Sequence, residues 1–382
     1  MLEIPLSGIK KIEEIARSSD EYISLSQGSI KVGGIPQEIK NYVQTLMNSD
    51  ITDYYESCWG ILPLREQLAA HLTKKHGVSF TTANVLPTHG CIGGLSLLYL
   101  AILNPGDEVV IPQPAYPAYS ILTQAARATA VPVSLYHQKA DGDYTWDFDV
   151  ERIKAAVTEK TKIIIFSNPW NPLGIVVPIH TIRELLSWCE QRGIYLIVDQ
   201  AYEDYVFTDA FQSAAPLSLH SDHLITAFTF SKNLAMSGWR IGYLVMSHGL
   251  NKALAGMQDA LLNCLNNTAQ YAAMYALQRP ELVQQFYKII AHNRQRAMDL
   301  LQPLVKHGVL SYKEPAGGFY LFLKTDQPDA TDLCMSILHK AKVSMVPGST
   351  FGQSGSPFLR LNYARETHLL EEGIKRITSY FM

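Results

Sequence analysis

Between about residue 85 and residue 245, short runs that are apolar on both faces alternate with segments whose apolar residues recur at helical spacing. The runs are EVVIP at 108–112, TKIIIF at 161–166, GIYLIV at 193–198 and HLITAFTF at 223–230. They lack the polar alternation of a half-solvated strand, so each predicts a strand covered by helices on two sides. HTIRELLSWCEQRG puts Ile182, Leu185, Leu186 and Cys189 on one side and closes on Gly193, which predicts a covering helix with a glycine stop. CIGGLSLLYLAIL, the most apolar stretch, is too short to cross a bilayer and predicts a buried helix. This grammar predicts an α/β fold: a three-layer large domain with a mainly parallel sheet.

After about residue 280 the pattern changes. ELVQQFYKIIAHNRQRAMDLLQPLVKHG predicts one long amphipathic helix, followed by the strand-like GGFYLFLK, by KVSMVPGSTFG and by PFLRLNYA. These predict a smaller α+β domain. The N-terminal segment, with Ile9, Ile12, Ile15 and Ala16 at helical spacing, is expected to fold back and complete it. The expected division is a large domain over 46–285 and a small one from 1–45 and 286–382, with no linker, repeat or low-complexity tract between them.

Composition narrows the partners. With 382 residues, 47% hydrophobic and 18% charged, the chain has enough apolar side chains for two cores. A net charge of -3 gives no polyanion-binding surface, so nucleic acid is not expected and small molecules are. The five cysteines are scattered without a C-x-x-C pair, which suits a reducing compartment. The start lacks the basic-then-apolar layout of a signal peptide, so a cytoplasmic protein away from membranes is expected. The 12 histidines form no H-E-x-x-H spacing, and no metal site is expected.

The residues just beyond each predicted strand carry the chemistry. QPAYPAY, SNPWNPLG, DQAY and SKN come after the four runs in turn. Ligands of open parallel sheets lie outside the carboxyl ends of the strands, so Tyr116, Asn171, Asp199, Tyr202 and Lys232 are expected at one crevice. This set matches what pyridoxal phosphate needs: a lysine for the imine, a carboxylate facing a protonated ring nitrogen, and donors for a phosphate. Lys232 supplies the amine, its pKa expected to fall because Arg240 stands close by. Asp199 ends an apolar strand, where a carboxylate is costly unless a cation such as a ring N–H faces it; a helix cap or salt bridge is the competing reading. Asn171, held among prolines, and Tyr202 can bond a ring oxygen, although SNPWNPLG also reads as a plain turn. Tyr116 can stack on the ring or simply pack. THGCIGGLSLL offers a glycine-rich helix start at Gly90, Cys91 and Ile92 for the phosphate, with Thr229, Ser231 and Arg240 completing the anion site.

SNPWNPLG at 167–174, DQAYEDYVF at 199–207, FSKNLAMSGWRIG at 230–242 and PFLRLNYA at 357–364, in this order and spacing, resemble the class I/II aminotransferases of fold type I. The resemblance covers essentially the whole chain and implies a pyridoxal-phosphate enzyme that moves an amino group between an L-amino acid and a 2-oxo acid. It makes Lys232 the cofactor-bearing lysine, Asp199 the pyridinium partner, Asn171 and Tyr202 the ring-oxygen contacts, and Arg240, Thr229 and Ser231 part of the phosphate cup. It also makes Arg360 the clamp for the substrate α-carboxylate and Gly28, in ISLSQGS, part of the substrate pocket. YESCWGILPLREQLA resembles the stretch whose tyrosine reaches across a homodimer to the neighbour's phosphate, which points to Tyr55, with Tyr54 next to it as the alternative.

Two positions depart from the family pattern. Gly90, Cys91 and Ile92 stand where relatives carry a hydroxyl or a lysine, which leaves backbone amides for the phosphate and argues against an aspartate-specific enzyme. Asp199 is followed by Gln200 in place of the usual glutamate. Aromatic residues near the expected crevice (Tyr54, Tyr55, Trp59, Tyr116, Tyr119, Trp170) point to aromatic or bulky neutral donors. Two other functions fit the same residues. A lyase, cyclase or racemase would use the same cofactor. A non-catalytic effector-binding module would use the same fold, but such modules are fused to a DNA-binding unit, for which the first residues leave no room.

Overall fold

The computed structural model describes Ile4, residues 6–140 and residues 143–382. Its central sheet contains β1 (Val85–Thr88), β2 (Glu108–Gln113), β3 (Thr129–Ser134), β4 (Thr161–Ser167), β5 (Tyr195–Asp199), β6 (Leu224–Thr229) and β7 (Gly242–Val245). The spatial order is β1-β7-β6-β5-β4-β2-β3. β7 runs antiparallel to both of its neighbours, and the pairs from β6 to β3 are parallel.

Period-two alternation explains the three layers. Ile163, Ile165 and Ile197 point to one face, against Leu95, Leu98 and Tyr99 of the helix Gly90–Ile102. Ile164, Phe166, Leu196 and Val198 point to the other, against Ile182, Leu185, Leu186 and Cys189 of the helix Ile179–Glu190. Each isoleucine or leucine fully withdrawn from water contributes about 1.5–3 kcal/mol, which is why both faces of the central strands are apolar. β3 is one of the two edge strands. Its Pro132 has no N–H to donate and is tolerated where no further strand pairs.

The four strands predicted from apolar runs are present, each with shifted ends. Phe230 does not extend β6: the Thr229 hydroxyl accepts from the Ser231 N–H at 3.1 Å and opens the short helix Phe230–Asn233. Gly193, at φ +65°, belongs to the turn after the helix, so β5 begins at Tyr195. No helix among the described residues is long and apolar enough to cross a membrane.

The C-terminal part builds on the long helix Pro280–Lys306, which buries Leu282, Phe286, Ile290, Met298, Leu301 and Leu304. A three-stranded antiparallel sheet, with β8 (Tyr320–Lys324) and β9 (Val346–Pro347) flanking β10 (Phe358–Asn362), carries the second set of functional residues. The N-terminal segment does come back to this part: Ile23–Ser24 pairs in parallel with Val343–Ser344. Its carbonyls are tied down by side chains from the end of β10. Asn362 donates to Gln27 and Ser29, and Arg365 to Ser24, Gln27 and Ser29, which fixes Gly28 between them.

Candidate active site

At the carboxyl ends of β4, β5 and β6 lies a cavity of about 500 Å³. Gly28, Cys91, Ile92, Tyr116, Asn171, Asp199, Tyr202, Thr229, Ser231, Lys232, Arg240 and Arg360 all line it, although Gly28 and Arg360 are 332 positions apart in the chain. Gly90 stands just behind the wall. Tyr55 does not reach this cavity in its own chain: it is 82% exposed and borders a separate hollow lined by Thr52–Tyr55 and Cys264–Thr268.

Lys232 is set by the short helix whose cap is Thr229. Tyr205 donates its hydroxyl proton to the Lys232 carbonyl at 2.9 Å, and the Lys232 amine donates to the Gly28 carbonyl. Its pKa is pulled down to about 8, first by burial and then by the Arg360 guanidinium. Arg240 lowers it as well, as expected, but by less than either. The Arg240 guanidinium lies against Gly90.

Asp199 ends β5 and is buried. Its Oδ2 accepts from the Tyr119 hydroxyl at 2.8 Å, its Oδ1 from the Ala201 N–H at 3.0 Å, and the Cys91 thiol adds a third, weaker bond. Burial pushes its pKa up in spite of these donors. A carboxylate so placed is stabilised by any cation that enters the cavity in front of it.

The anion site forms where the helix Gly90–Ile102 starts. Gly90 has φ +69°, and a Cβ there would lie 2.6 Å from the Arg240 Nη2, so glycine is required for the guanidinium to approach. Arg240 itself sits at φ +57°, an uncommon region for a side-chain-bearing residue, and donates to the Ser237 carbonyl at 2.7 Å. The hydroxyls of Thr229 and Ser231 face the same space. This set of a cation, hydroxyls and helix-start amides has the donors a phosphate needs.

Arg360, on β10, is fully buried. Its Nη1 donates to Asn171 Oδ1 at 3.0 Å and its Nη2 to the Ser26 carbonyl at 2.6 Å, while its Nε has no partner among the described residues. Both accepting oxygens are neutral, so the guanidinium retains an unmet demand for a carboxylate. Asn171 is held from behind by Ser167, whose Oγ accepts its N–H at 3.0 Å.

Two residues of the site are not singled out by the sequence in these roles. Tyr119 bonds Asp199, and Tyr320 pairs with Tyr202 at 3.0 Å between hydroxyl oxygens. Tyr119 comes three positions after Tyr116 in PAYPAY, a helical spacing that hints at a shared face. Tyr320 gives no such signal, because its contacts depend on how two distant segments dock.

A family model described as aminotransferase class I and II matches residues 20–377. The chain belongs to this family. Among its relatives, a probable aspartate/prephenate aminotransferase of Aquifex aeolicus is 34% identical, over 90% of this chain and 86% of that protein. An aspartate aminotransferase of Thermotoga maritima is 29% identical, over 99% and 97% of the two chains. The crystal structure of an aromatic aminotransferase from Pyrococcus horikoshii is similar with a TM-score of 0.85 and 27% identity, covering 97% of this chain and 98% of that one. The protein is therefore an aminotransferase of fold type I, as the sequence motifs imply, and the cavity at the strand ends is its candidate active site.

Proposed function

We propose that this aminotransferase uses pyridoxal 5'-phosphate held in the cavity at the strand ends and moves an amino group between an L-amino acid and a 2-oxo acid. The observation that carries the reading is the meeting, in one cavity, of an amine with a lowered pKa at Lys232, a buried carboxylate at Asp199 and a buried guanidinium without a carboxylate at Arg360. The residues fit the cofactor. Gly90 leaves the gap through which Arg240 approaches a phosphate, and Asp199 is a costly buried anion that a protonated ring nitrogen would compensate.

When bound, the cofactor supplies a carbonyl for the amine and a ring that takes up electrons from the substrate's α-carbon. The protein's part is to bind, orient and move protons. Arg360 takes the α-carboxylate through paired N–H groups, which sets the α-carbon over Lys232. Lys232 Nζ, whose lowered pKa leaves part of it uncharged at neutral pH, would take the proton from the substrate α-carbon and give it to the cofactor's former carbonyl carbon. Asp199 holds a proton on the ring nitrogen. Asn171, its Oδ1 already engaged by Arg360, is left with its N–H groups for the ring oxygen, beside the Tyr202 hydroxyl. Thr229, Ser231, Arg240 and the backbone N–H groups at Cys91 and Ile92 would hold the phosphate, and Tyr116 would flank the ring.

Ile9, Ile92, Tyr116 and Ile121 give the cavity wall, which also contains Ser7 and Lys10, an apolar part that would suit an aromatic or bulky neutral side chain. The name of the Pyrococcus horikoshii enzyme agrees with this choice, whereas the names of the Thermotoga maritima and Aquifex aeolicus relatives include aspartate, and the donor panel below decides between them. We further infer a cytoplasmic homodimer in which the exposed Tyr55 of each subunit reaches the neighbour's phosphate. The test is a panel of amino donors against 2-oxoglutarate, pyruvate and oxaloacetate, read as the 2-oxo acid formed and as conversion of bound cofactor to its amine form. Lys232→Ala should abolish turnover while non-covalent cofactor binding survives. Normal rates in that variant, or release of pyruvate and ammonia without amine-form cofactor, would refute the proposal.

A further inference from the structure

The hydroxyl of Tyr320 has no task in the chemistry above, yet it sits where two halves of that chemistry join. It lies 3.0 Å from the Tyr202 hydroxyl, and both side chains are buried. The Arg360 guanidinium carbon lies 4.3 Å over the centre of the Tyr320 ring. Gly28 is what admits the hydroxyl: a Cβ there would come 2.7 Å from Tyr320 Oη. One aromatic side chain thus touches the residue proposed for the cofactor's ring oxygen with its hydroxyl, and the residue proposed for the substrate carboxylate with its face.

Proton counting gives the pair a direction. Each phenol carries one proton. If Tyr202 gives its proton to the ring oxygen, the bond between the two hydroxyls can be made only by the proton of Tyr320. Tyr202 then accepts from one side and donates to the other, and an accepted bond strengthens the donated one. Asn171 is arranged in parallel, its oxygen accepting from Arg360 and its N–H groups left for the same ring oxygen.

We propose that Tyr320 is a positioning residue of this aminotransferase: its hydroxyl donates to Tyr202 and aims the Tyr202 proton at the cofactor's ring oxygen, while its ring carries Arg360. The proposal rests on the reading that pyridoxal phosphate occupies the cavity with Tyr202 at that oxygen.

The test is a pH titration of the visible absorbance of the cofactor-loaded protein, with steady-state kinetics alongside. A donor aimed at the ring oxygen draws charge from it and makes the bound chromophore easier to deprotonate. Tyr320→Phe, which keeps the ring and loses the donor, should therefore raise the titration midpoint by about half a pH unit, the scale of one modest hydrogen bond. It should lower kcat several-fold and leave KM for the amino acid within about twofold, because the face under Arg360 is kept. Tyr320→Leu loses both functions and should raise the midpoint and also KM, the latter by about tenfold. This second variant keeps the question open to measurement if the first does not fold. In a Tyr202→Phe background, Tyr320→Phe should add no shift. An unchanged midpoint in loaded Tyr320→Phe, or a shift that persists without the Tyr202 hydroxyl, overturns the role of Tyr320 alone. Wild-type protein that gains no absorbance from the vitamin overturns the functional reading and this proposal together.

Discussion

Replacing Lys232 by methionine should stabilise the cofactor-free protein at neutral pH. The lysine's pKa falls from 10.5 to about 8 in the folded chain, and at about 1.4 kcal/mol per unit this corresponds to about 3 kcal/mol spent on holding the cation there. Methionine has similar length and no charge, and forfeits the bond to the Gly28 carbonyl, worth about 1 kcal/mol. The net gain at pH 7 is about 2 kcal/mol. The sign with pH is set by the folded pKa lying below the unfolded one. Below pH 8 both states are protonated and the wild type carries the whole penalty. Between pH 8 and 10.5 the folded state loses its proton first and the wild type recovers; above 10.5 the penalty is gone and only the lost bond remains, so the order reverses, with the methionine variant less stable by about 1 kcal/mol. Urea unfolding of both proteins, stripped of cofactor, at pH 7 and pH 10.5 measures this through the shift in midpoint at constant slope. A methionine variant less stable at pH 7, or a difference that does not shrink by pH 10.5, would refute the account of Lys232 as a desolvated amine. A site that sacrifices stability for an amine neutral near pH 8 is the usual exchange between stability and activity.

Two further substitutions separate the anion sites. Arg360→Lys keeps the charge and loses the paired N–H geometry, so KM for the amino acid should rise by about ten- to a hundredfold with a smaller change in kcat, measured in steady state; an unchanged KM would remove Arg360 from substrate binding. Arg240→Gln should weaken binding of pyridoxal phosphate by about tenfold or more and leave binding of unphosphorylated pyridoxal unchanged, as measured by absorbance titration of the stripped protein; equal losses for both would place Arg240 outside the phosphate cup.

Much of the large sheet and the set of candidate residues is legible in the sequence because each rests on a local rule. A strand covered on both faces must be apolar throughout, which exposes EVVIP, TKIIIF, GIYLIV and HLITAFTF in the chain. A parallel sheet delivers the residues at the carboxyl ends of those runs to one edge, which gathers Asn171, Asp199 and Lys232. β7 is harder to foresee. Its four residues, Gly242–Val245, are as buried as those of β6, and nothing in their pattern records that they run antiparallel. Strand direction is decided by connection lengths and by which helices can cover the sheet, not by the residues of the strand.

The same limit explains why the sequence does not rank the charges that act on Lys232. Arg240 is eight positions from Lys232 in the chain, and closeness in sequence suggests closeness in space. The backbone at Arg240 is left-handed, at φ +57°, and this conformation carries its guanidinium over Gly90 toward the anion site. The charge that lowers the lysine's pKa most comes from Arg360, on a strand of another sheet, 128 positions away, and Arg240 adds a smaller effect of the same sign. Coulomb interactions depend on distance and dielectric alone, so a motif can name the ionisable groups of a site but not which of them act on each other. Tyr320 makes the same point. Its register opposite Asn362 and its stacking on Arg360 arise from pairing β8 with β10, and its hydroxyl reaches Tyr202 only because those strands dock at the end of β5. Residues that act on the cofactor from the strand ends are therefore the legible part of this site, and the residues that aim them are the part that required the fold.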